Sequence, residues 1–328
     1  MLLKGDDAGA IEQAARALAE GRLVAFPTET VYGLGARADD DAAVAGIYTT
    51  KGRPSGHPLI VHVPDVAAAA VFALSVPPLA QRLVAAFWPG PLTLILTRRP
   101  GVATASAGGQ DSIGLRCPAH PVAQALLRAA ARHGVPGVAA PSANLFGHVS
   151  PTTAAHVQQE FGEGLWVLDG GPCEVGIESS IVDCRGDRPV LLRPGILTRA
   201  QIEAAAGDDL AERGADAPRV SGSLASHYAP RATLRLVPPA MLPAALEALG
   251  ADLAGVAVYS RSPVTGPPGG PAVRWRCMPA RPEQVAQELF SVLRDFDAEA
   301  ARLIWVEEPP AVPEWEGVRD RLLRAAAG

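Results

Sequence analysis

Aromatic side chains are scarce: seven Phe, five Trp and four Tyr make up 5% of the 328 residues. A surface that stacks nucleic-acid bases needs such rings beside its cations. The net charge of −5 removes the general basic footprint as well, so a protein that coats nucleic acid is excluded and only a local basic cleft stays open. Cysteine is sparse too. Cys117, Cys173, Cys184 and Cys277 are irregularly spaced, with no C-x-x-C pair, which fits reduced thiols better than a disulfide framework or a zinc site. The opening Met1-Leu2-Leu3-Lys4-Gly5-Asp6-Asp7 has no apolar signal run. No segment approaches the roughly 18 to 20 apolar residues that span a bilayer. A cytoplasmic protein without a membrane partner is expected. The chain also lacks G-x-x-x-x-G-K-[ST], H-E-x-x-H, G-x-S-x-G, G-x-G-x-x-G and any Cys/His cluster at metal spacing. A bound nucleotide would therefore have to be held by side-chain cations.

What is present is material for a core: 48% of residues are apolar and 19% charged. The length favours two domains. An amphipathic helix is expected at 8–20, a buried strand at 23–26 and a second helix at 40–50. Further strands are expected at 59–63, 92–97, 112–116, 135–140, 165–168, 180–184 and 190–193, with helices at 65–73, 77–87 and 121–132. Helices and strands mix without strict alternation, which predicts an α/β domain with a mixed sheet over 1–206. The pattern dissolves into Gly, Asp, Ala, Pro and Ser at 207–232, a linker long enough to be a functional loop. Strands at 233–237, 255–259, 272–276 and 302–306 then alternate with helices at 241–249, 282–297 and 314–326. That is the rhythm of a small parallel-sheet, Rossmann-like domain over 233–328, with a Pro/Gly-rich surface loop at 263–271.

The residues that bear chemistry cluster early. Phe26-Pro27-Thr28-Glu29-Thr30-Val31-Tyr32-Gly33-Leu34-Gly35 follows a strand, where α/β folds place ligand loops. Gly33 and Gly35 would let backbone approach a ligand. Lys51 and Arg53, two residues apart before Pro54, would in extended backbone point to one side and suit a triphosphate; a solvated pair at a helix end is the plainer alternative. His62 ends an apolar strand and reads equally as a core residue. Arg116, ahead of Cys117-Pro118, is placed to hold a carboxylate or to form an edge ion pair. Pro141-Ser142-Ala143-Asn144 and Ser150-Pro151-Thr152 precede a helix that Ser150 or Thr152 would cap. Glu178-Ser179-Ser180 and Arg193-Pro194-Gly195 add hydroxyls and a cation at strand ends.

In that order and spacing, these blocks closely resemble the YrdC-like family, together with Pro58-Leu59-Ile60-Val61-His62 and Trp88-Pro89-Gly90-Pro91-Leu92-Thr93. Ser226-His227-Tyr228-Ala229-Pro230 resembles the linker motif of the family's long, two-domain form. The resemblance implies a twisted mixed sheet with a concave face. It also implies a nucleotidyltransferase that combines L-threonine, bicarbonate and ATP into threonylcarbamoyl-adenylate and pyrophosphate, the first step of a tRNA adenosine modification completed by a separate transfer complex. Carried over residue by residue, Lys51 and Arg53 would be catalytic. Lys51, Arg53, His57, Ser112, Ala140, Ser142, Asn144, Ser150, Arg193 and Tyr228 would surround ATP, Tyr228 as a lid. Thr30, His62, Arg116 and Ser180 would hold threonine. Mg²⁺ would be carried by ATP, with no protein metal site. The chain departs from the family pattern at His57, where Asn is usual, at Ser180, where Thr is usual, and at Ser221-Gly222-Ser223, where many members have Pro-Gly-Met. Two rivals are a double-stranded-RNA-binding protein and a carbamoyltransferase that embeds a similar domain. The acidic charge opposes the first; the absence of zinc-finger and acylphosphatase-like segments opposes the second.

Overall fold

Alternation along each strand decides which side chains line the site. The computed structural model describes residues 1–249, 253, 255–264 and 274–328, and divides into two units. Unit 1 comprises Met1–Phe146 with Ser150–Ser223; unit 2 comprises Gly147–Val149 with Leu224–Gly328. Unit 1 contains strands β1 (Leu2–Lys4), β2 (Val24–Phe26), β3 (Gly33–Arg37), β4 (Ile60–His62), β5 (Leu92–Thr97), β6 (Ser112–Arg116), β7 (Val138–Ala139), β8 (Trp166–Asp169), β9 (Ser180–Asp183) and β10 (Val190–Arg193). They form one mixed sheet in the order β1-β8-β2-β3-β7-β4-β6-β5-β9-β10.

One face of this sheet packs on helices α2 (Asp41–Lys51), α3 (Val66–Phe72), α4 (Pro78–Phe87), α6 (Ala154–Phe161) and α7 (Arg199–Ala206), through Ala25, Val61, Leu94, Leu96, Leu115 and Val182. The intervening residues turn to the opposite face. There Val24, Phe26, Val138 and Leu168 meet α1 (Ala8–Ala19) and α5 (Pro121–Arg132). Farther along that face Ile60, Ile95, Ile181 and Leu192 meet only Val220, with Val190 and Ala217 at the edge. Helices cover one part of this face, and the irregular strap at 217–221 lies over the rest, with a small pocket between strap and sheet.

Unit 2 carries β11 (Thr233–Val237), β12 (Val256–Ser260), β13 (Arg274–Cys277) and β14 (Leu303–Glu307) in a parallel sheet ordered β11-β14-β12-β13. Its helices are α8 (Leu242–Leu249), α9 (Pro282–Ala298) and α10 (Glu316–Ala325). Along α9 the buried Val285, Leu289, Val292, Phe296 and Ala286, Phe290, Leu293 recur at helical spacing. No helix among the described residues is long and apolar enough to cross a membrane.

Most expected elements recur, and the exceptions have local causes. Residues 33–37, taken as a ligand loop, are strand β3, and α7 was not foreseen. The expected strand at 135–140 narrows to Val138–Ala139. Helix α6 is capped by Thr153, whose side chain accepts the His156 N–H, rather than by Ser150 or Thr152; Ser150 instead donates its hydroxyl to Glu178. From residue 265 the expected loop at 263–271, and residues 272–273 of the next expected strand, lie outside the described residues.

Candidate functional site

The amino-acid end of the site is built on β4 and β6, which pair in parallel with His62 opposite Arg116. Both are even members of strands whose odd members are core, so both leave the helix-covered face. His62 is 3% exposed, packs edge-on against Phe26 at 5.9 Å, and its Nδ1 has no partner. Burial, reinforced by the Arg116 charge, pushes its pKa down to about 3, so the ring is neutral at ordinary pH. Ser180 opens β9 fully buried, its Oγ likewise without a partner among the described residues. A buried polar atom without a hydrogen bond is costly in a folded protein, and among the described residues His62 Nδ1, Ser180 Oγ, Arg116 Nη2 and Glu29 Oε1 are all such atoms. Gly195 borders Ser180 closely, because a Cβ there would lie 2.7 Å from Ser180 Oγ and 2.5 Å from its nitrogen. Thr30, from the loop after β2, is fully buried with its hydroxyl 2.9 Å from that of Thr28.

Arg116 is held tightly. Its Nη2 lies 2.7 Å from Glu29 Oε1 with both side chains buried, and its Nε donates to the Gly90 carbonyl at 3.3 Å. The ion pair expected from sequence at an edge is thus a buried one, and its partner is Glu29, which the sequence placed in the loop after a strand without a role of its own.

The cations at the other end behave differently. Lys51 is the last residue of α2 and Gly52 turns left-handed at φ +63°, so Lys51 and Arg53 are not the two same-side residues of an extended strand. Their side chains diverge. Lys51 Nζ donates to the Ser142 carbonyl at 2.6 Å and to the Asn144 carbonyl, clamping the 142–144 turn. Burial, then the Arg53 charge, holds its pKa well below the ordinary lysine value. Arg53 Nη2 donates to the Pro58 carbonyl at 3.0 Å and to Ser221 Oγ at 3.4 Å, with its guanidinium 5.5 Å above the Phe146 ring. Arg193 donates twice to the Ser179 carbonyl, at 3.1 and 2.9 Å, and once to the Ser221 carbonyl at 2.8 Å.

The remaining expected residues fall around these two ends. Ser112 lines the pocket under the strap with Gly114, Ile60, Ile95, Ile181 and Val220. The Ala140 N–H is used on the Ile60 carbonyl at 2.9 Å, and Ser142 bridges to Gly33. His57 sets its ring edge-on against Phe146 at 5.5 Å, and burial followed by Arg53 lowers its pKa. Gly33 and Gly35 serve packing rather than close ligand approach, since a Cβ on Gly35 would lie 2.8 Å from Val138 and 2.9 Å from Phe26. Tyr228 belongs to unit 2, where it is 1% exposed at φ +62°, stacked on Phe290 at 5.6 Å and faced by Arg321 at 5.3 Å. Ser179, Ser221 and Glu178 join the site as partners of Arg193, Arg53 and Ser150. Their only sequence signal was adjacency to the predicted residues.

A mixed-sheet α/β protein with buried cations at its strand ends has the makings of an enzyme that acts on anionic substrates. Comparison with known proteins narrows the class. Residues 16–195 match the family model described as "Telomere recombination", and residues 197–327 match that described as "Threonylcarbamoyl-AMP synthase, C-terminal domain". The threonylcarbamoyl-AMP synthase of Bacillus subtilis is 39% identical over 326 residues, covering 97% of this chain and 93% of that protein. That of Pyrococcus abyssi is 42% identical over 233 residues, covering 69% of this chain and 67% of that protein. The crystal structure of P. abyssi Sua5 complexed with L-threonine superposes with a TM-score of 0.87 at 35% identity, over 98% of this chain and 95% of that one. The chain belongs to the threonylcarbamoyl-AMP synthase family, in its form with the additional C-terminal domain. ATP is the substrate of that family, and the RNA-binding and carbamoyltransferase readings are not favoured.

Proposed function

We propose that unit 1 performs the family's reaction in the site just described, with L-threonine at the Arg116 end and ATP at the Lys51/Arg53 end. The observation that carries this reading is the buried His62 Nδ1 and Ser180 Oγ, neither with a hydrogen bond among the described residues, on strands to either side of the one that carries Arg116. A small ligand with a carboxylate and further polar groups would satisfy all three. Thr30 would hold the same ligand. The neutral threonine amine attacks CO₂, releasing a proton to solvent, or bicarbonate, releasing water, to form a carbamate; one carbamate oxygen then attacks the α-phosphorus as the bond to pyrophosphate breaks and pyrophosphate leaves. His62, neutral, offers one ring nitrogen as donor and the other as acceptor without adding charge beside Arg116.

At the nucleotide end the chemistry is positioning and charge neutralisation. Lys51, Arg53 and Arg193 exchange part of their bonding to backbone carbonyls for phosphate oxygens, while Ser112, Ser142, Asn144, Ser150, His57 and the backbone at Ala140 complete the nucleotide's surroundings. Mg²⁺ enters with ATP as substrate. Tyr228, in the His227-Tyr228-Ala229-Pro230 segment, acts as the lid, and the product passes to the tRNA-modifying transfer complex. No covalent enzyme intermediate forms. The deciding experiment incubates the chain with ATP, labelled bicarbonate and a panel of amino acids. Labelled threonylcarbamoyl-adenylate with threonine is expected, and its absence overturns the reading. Retained adenylation in a Lys51→Ala, Arg53→Ala variant would place the phosphates elsewhere.

A further inference from the structure

Neither the reaction nor the resemblance gives Glu29 a task, yet it is 4% exposed and sits where three loops meet. Its Oε1 lies 2.7 Å from Arg116 Nη2, and its Oε2 accepts the Ala119 N–H at 3.0 Å. Its own carbonyl accepts the Val175 N–H at 2.7 Å. Thr28 braces the same turn: its Oγ1 accepts the Thr30 and Val31 N–H groups at 3.2 Å and donates to the Val31 carbonyl at 2.6 Å. The carboxylate is therefore fixed before any ligand arrives.

Burial of an ion pair is a poor way to gain stability, because desolvation offsets the attraction. The arrangement makes more sense in what it leaves open. Arg116 donates Nε to the Gly90 carbonyl and pairs with Glu29 by charge through Nη2, while neither Nη2 nor Glu29 Oε1 makes a hydrogen bond among the described residues. Next to it on the sheet stands His62 with its orphaned Nδ1. Without Glu29, Arg116 would be a buried cation with no counter-charge, free to turn towards neighbouring carbonyls and attractive to any small anion. With Glu29 the empty pocket is neutral, so a zwitterion enters without changing its net charge.

We propose that Glu29 is a positioning residue for amino-acid binding: its carboxylate holds the Arg116 guanidinium in place for the substrate carboxylate and sets the neutral charge that suits a zwitterionic ligand. This rests on the reading of Arg116 as the carboxylate partner. The test measures pyrophosphate release by the full chain with Glu29→Gln, which keeps the shape and removes the charge. Threonine KM should rise about tenfold, the effect of roughly one charge-assisted hydrogen bond, with ATP KM within about twofold of the unchanged enzyme. The preference for threonine over L-threoninamide, measured by competition, should shrink in parallel. Glu29→Asp, which keeps the charge on a shorter arm, should recover part of both losses; should Glu29→Gln fail to fold, Glu29→Asp carries the test, with a raised threonine KM at constant ATP KM as the supporting result. A stability loss is expected from breaking the buried pair whatever its role; a merely structural Glu29 would shift both KM values together, or neither, and leave the threonine-to-threoninamide ratio unchanged, which overturns the proposal. Arg116→Gln separates the two levels. If it abolishes the ratio while the Glu29 variants keep it, Glu29 alone is misassigned; if it leaves the ratio intact, the Arg116 reading fails and the proposal falls with it.

Discussion

The two ends of the site reach their empty state in opposite ways. At the amino-acid end His62 Nδ1 and Ser180 Oγ are buried without partners. At the nucleotide end Lys51, Arg53 and Arg193 are already bonded to carbonyls of 142, 144, 58, 179 and 221. The first end carries buried polar atoms that make no hydrogen bond among the described residues, which under the proposed function favours discrimination over adaptability. The second satisfies its cations with the backbone, so phosphate must compete for them, and the same cations tie loops and strap together meanwhile. A substitution at the first end should therefore damage binding more than folding, and one at the second should damage both.

Arg116 is the instructive exception, because it sits at the amino-acid end yet is paired. Removing one partner of a buried pair typically costs about 3 to 5 kcal/mol. Arg116→Ala is thus expected to give the largest stability loss of any substitution considered, measured by chemical denaturation, along with loss of threonine-dependent turnover. A small loss would mean that Glu29 finds water or another donor.

Lys51→Ala comes next. It takes the Lys51 donor from the carbonyls of Ser142 and Asn144, a cost of about 1 to 3 kcal/mol, and under the proposed function it also removes a phosphate contact. Denaturation midpoint and ATP KM should worsen together. Were ATP KM to change with stability intact, the carbonyl clamp would be unimportant and the contrast between the two ends would weaken.

Acid distinguishes them further. The His62 pKa is pushed from 6.5 to about 3 on folding. Between those values the unfolded chain binds a proton that the folded one refuses, so stability rises with pH there. The contribution is undiminished above pH 6.5 and is lost as pH falls towards 3, on the order of 2 kcal/mol by pH 4.5. Thermal midpoints at pH 7 and 4.5 should therefore drop more for the unchanged chain than for His62→Gln. Equal drops would mean that His62 is protonated in the folded state.

Much of this could be read before the fold was known, and what could not has a common cause. Strands 190–193 and 233–237 and helix 121–132 are bounded as composition and capping residues indicate. The site residues were recognisable as blocks, yet their partners were not. Nothing in Thr28-Glu29-Thr30 announces that the Glu faces an arginine 87 positions on, since the contact is made by sheet order rather than by spacing. The glycines of β3 misled for the same reason: Gly35 is small because Phe26 and Val138 crowd it, a demand set by tertiary neighbours. Lys51 and Arg53 read as an extended pair because the left-handed Gly52 between them could not be foreseen from its being glycine alone.

Ser180→Ala should show the smallest effect and the cleanest sign. Its hydroxyl is fully buried and bonds to nothing among the described residues, so deleting it removes a desolvation penalty in the empty protein and loses no bond. Stability should stay level or rise slightly, while threonine KM rises about five- to tenfold, the value of one hydrogen bond made only in the complex. Addition of threonine should accordingly raise the melting temperature of the variant less than that of the unchanged chain. A variant that loses stability without ligand would show that Ser180 already has a partner, and the amino-acid end would then resemble the nucleotide end after all.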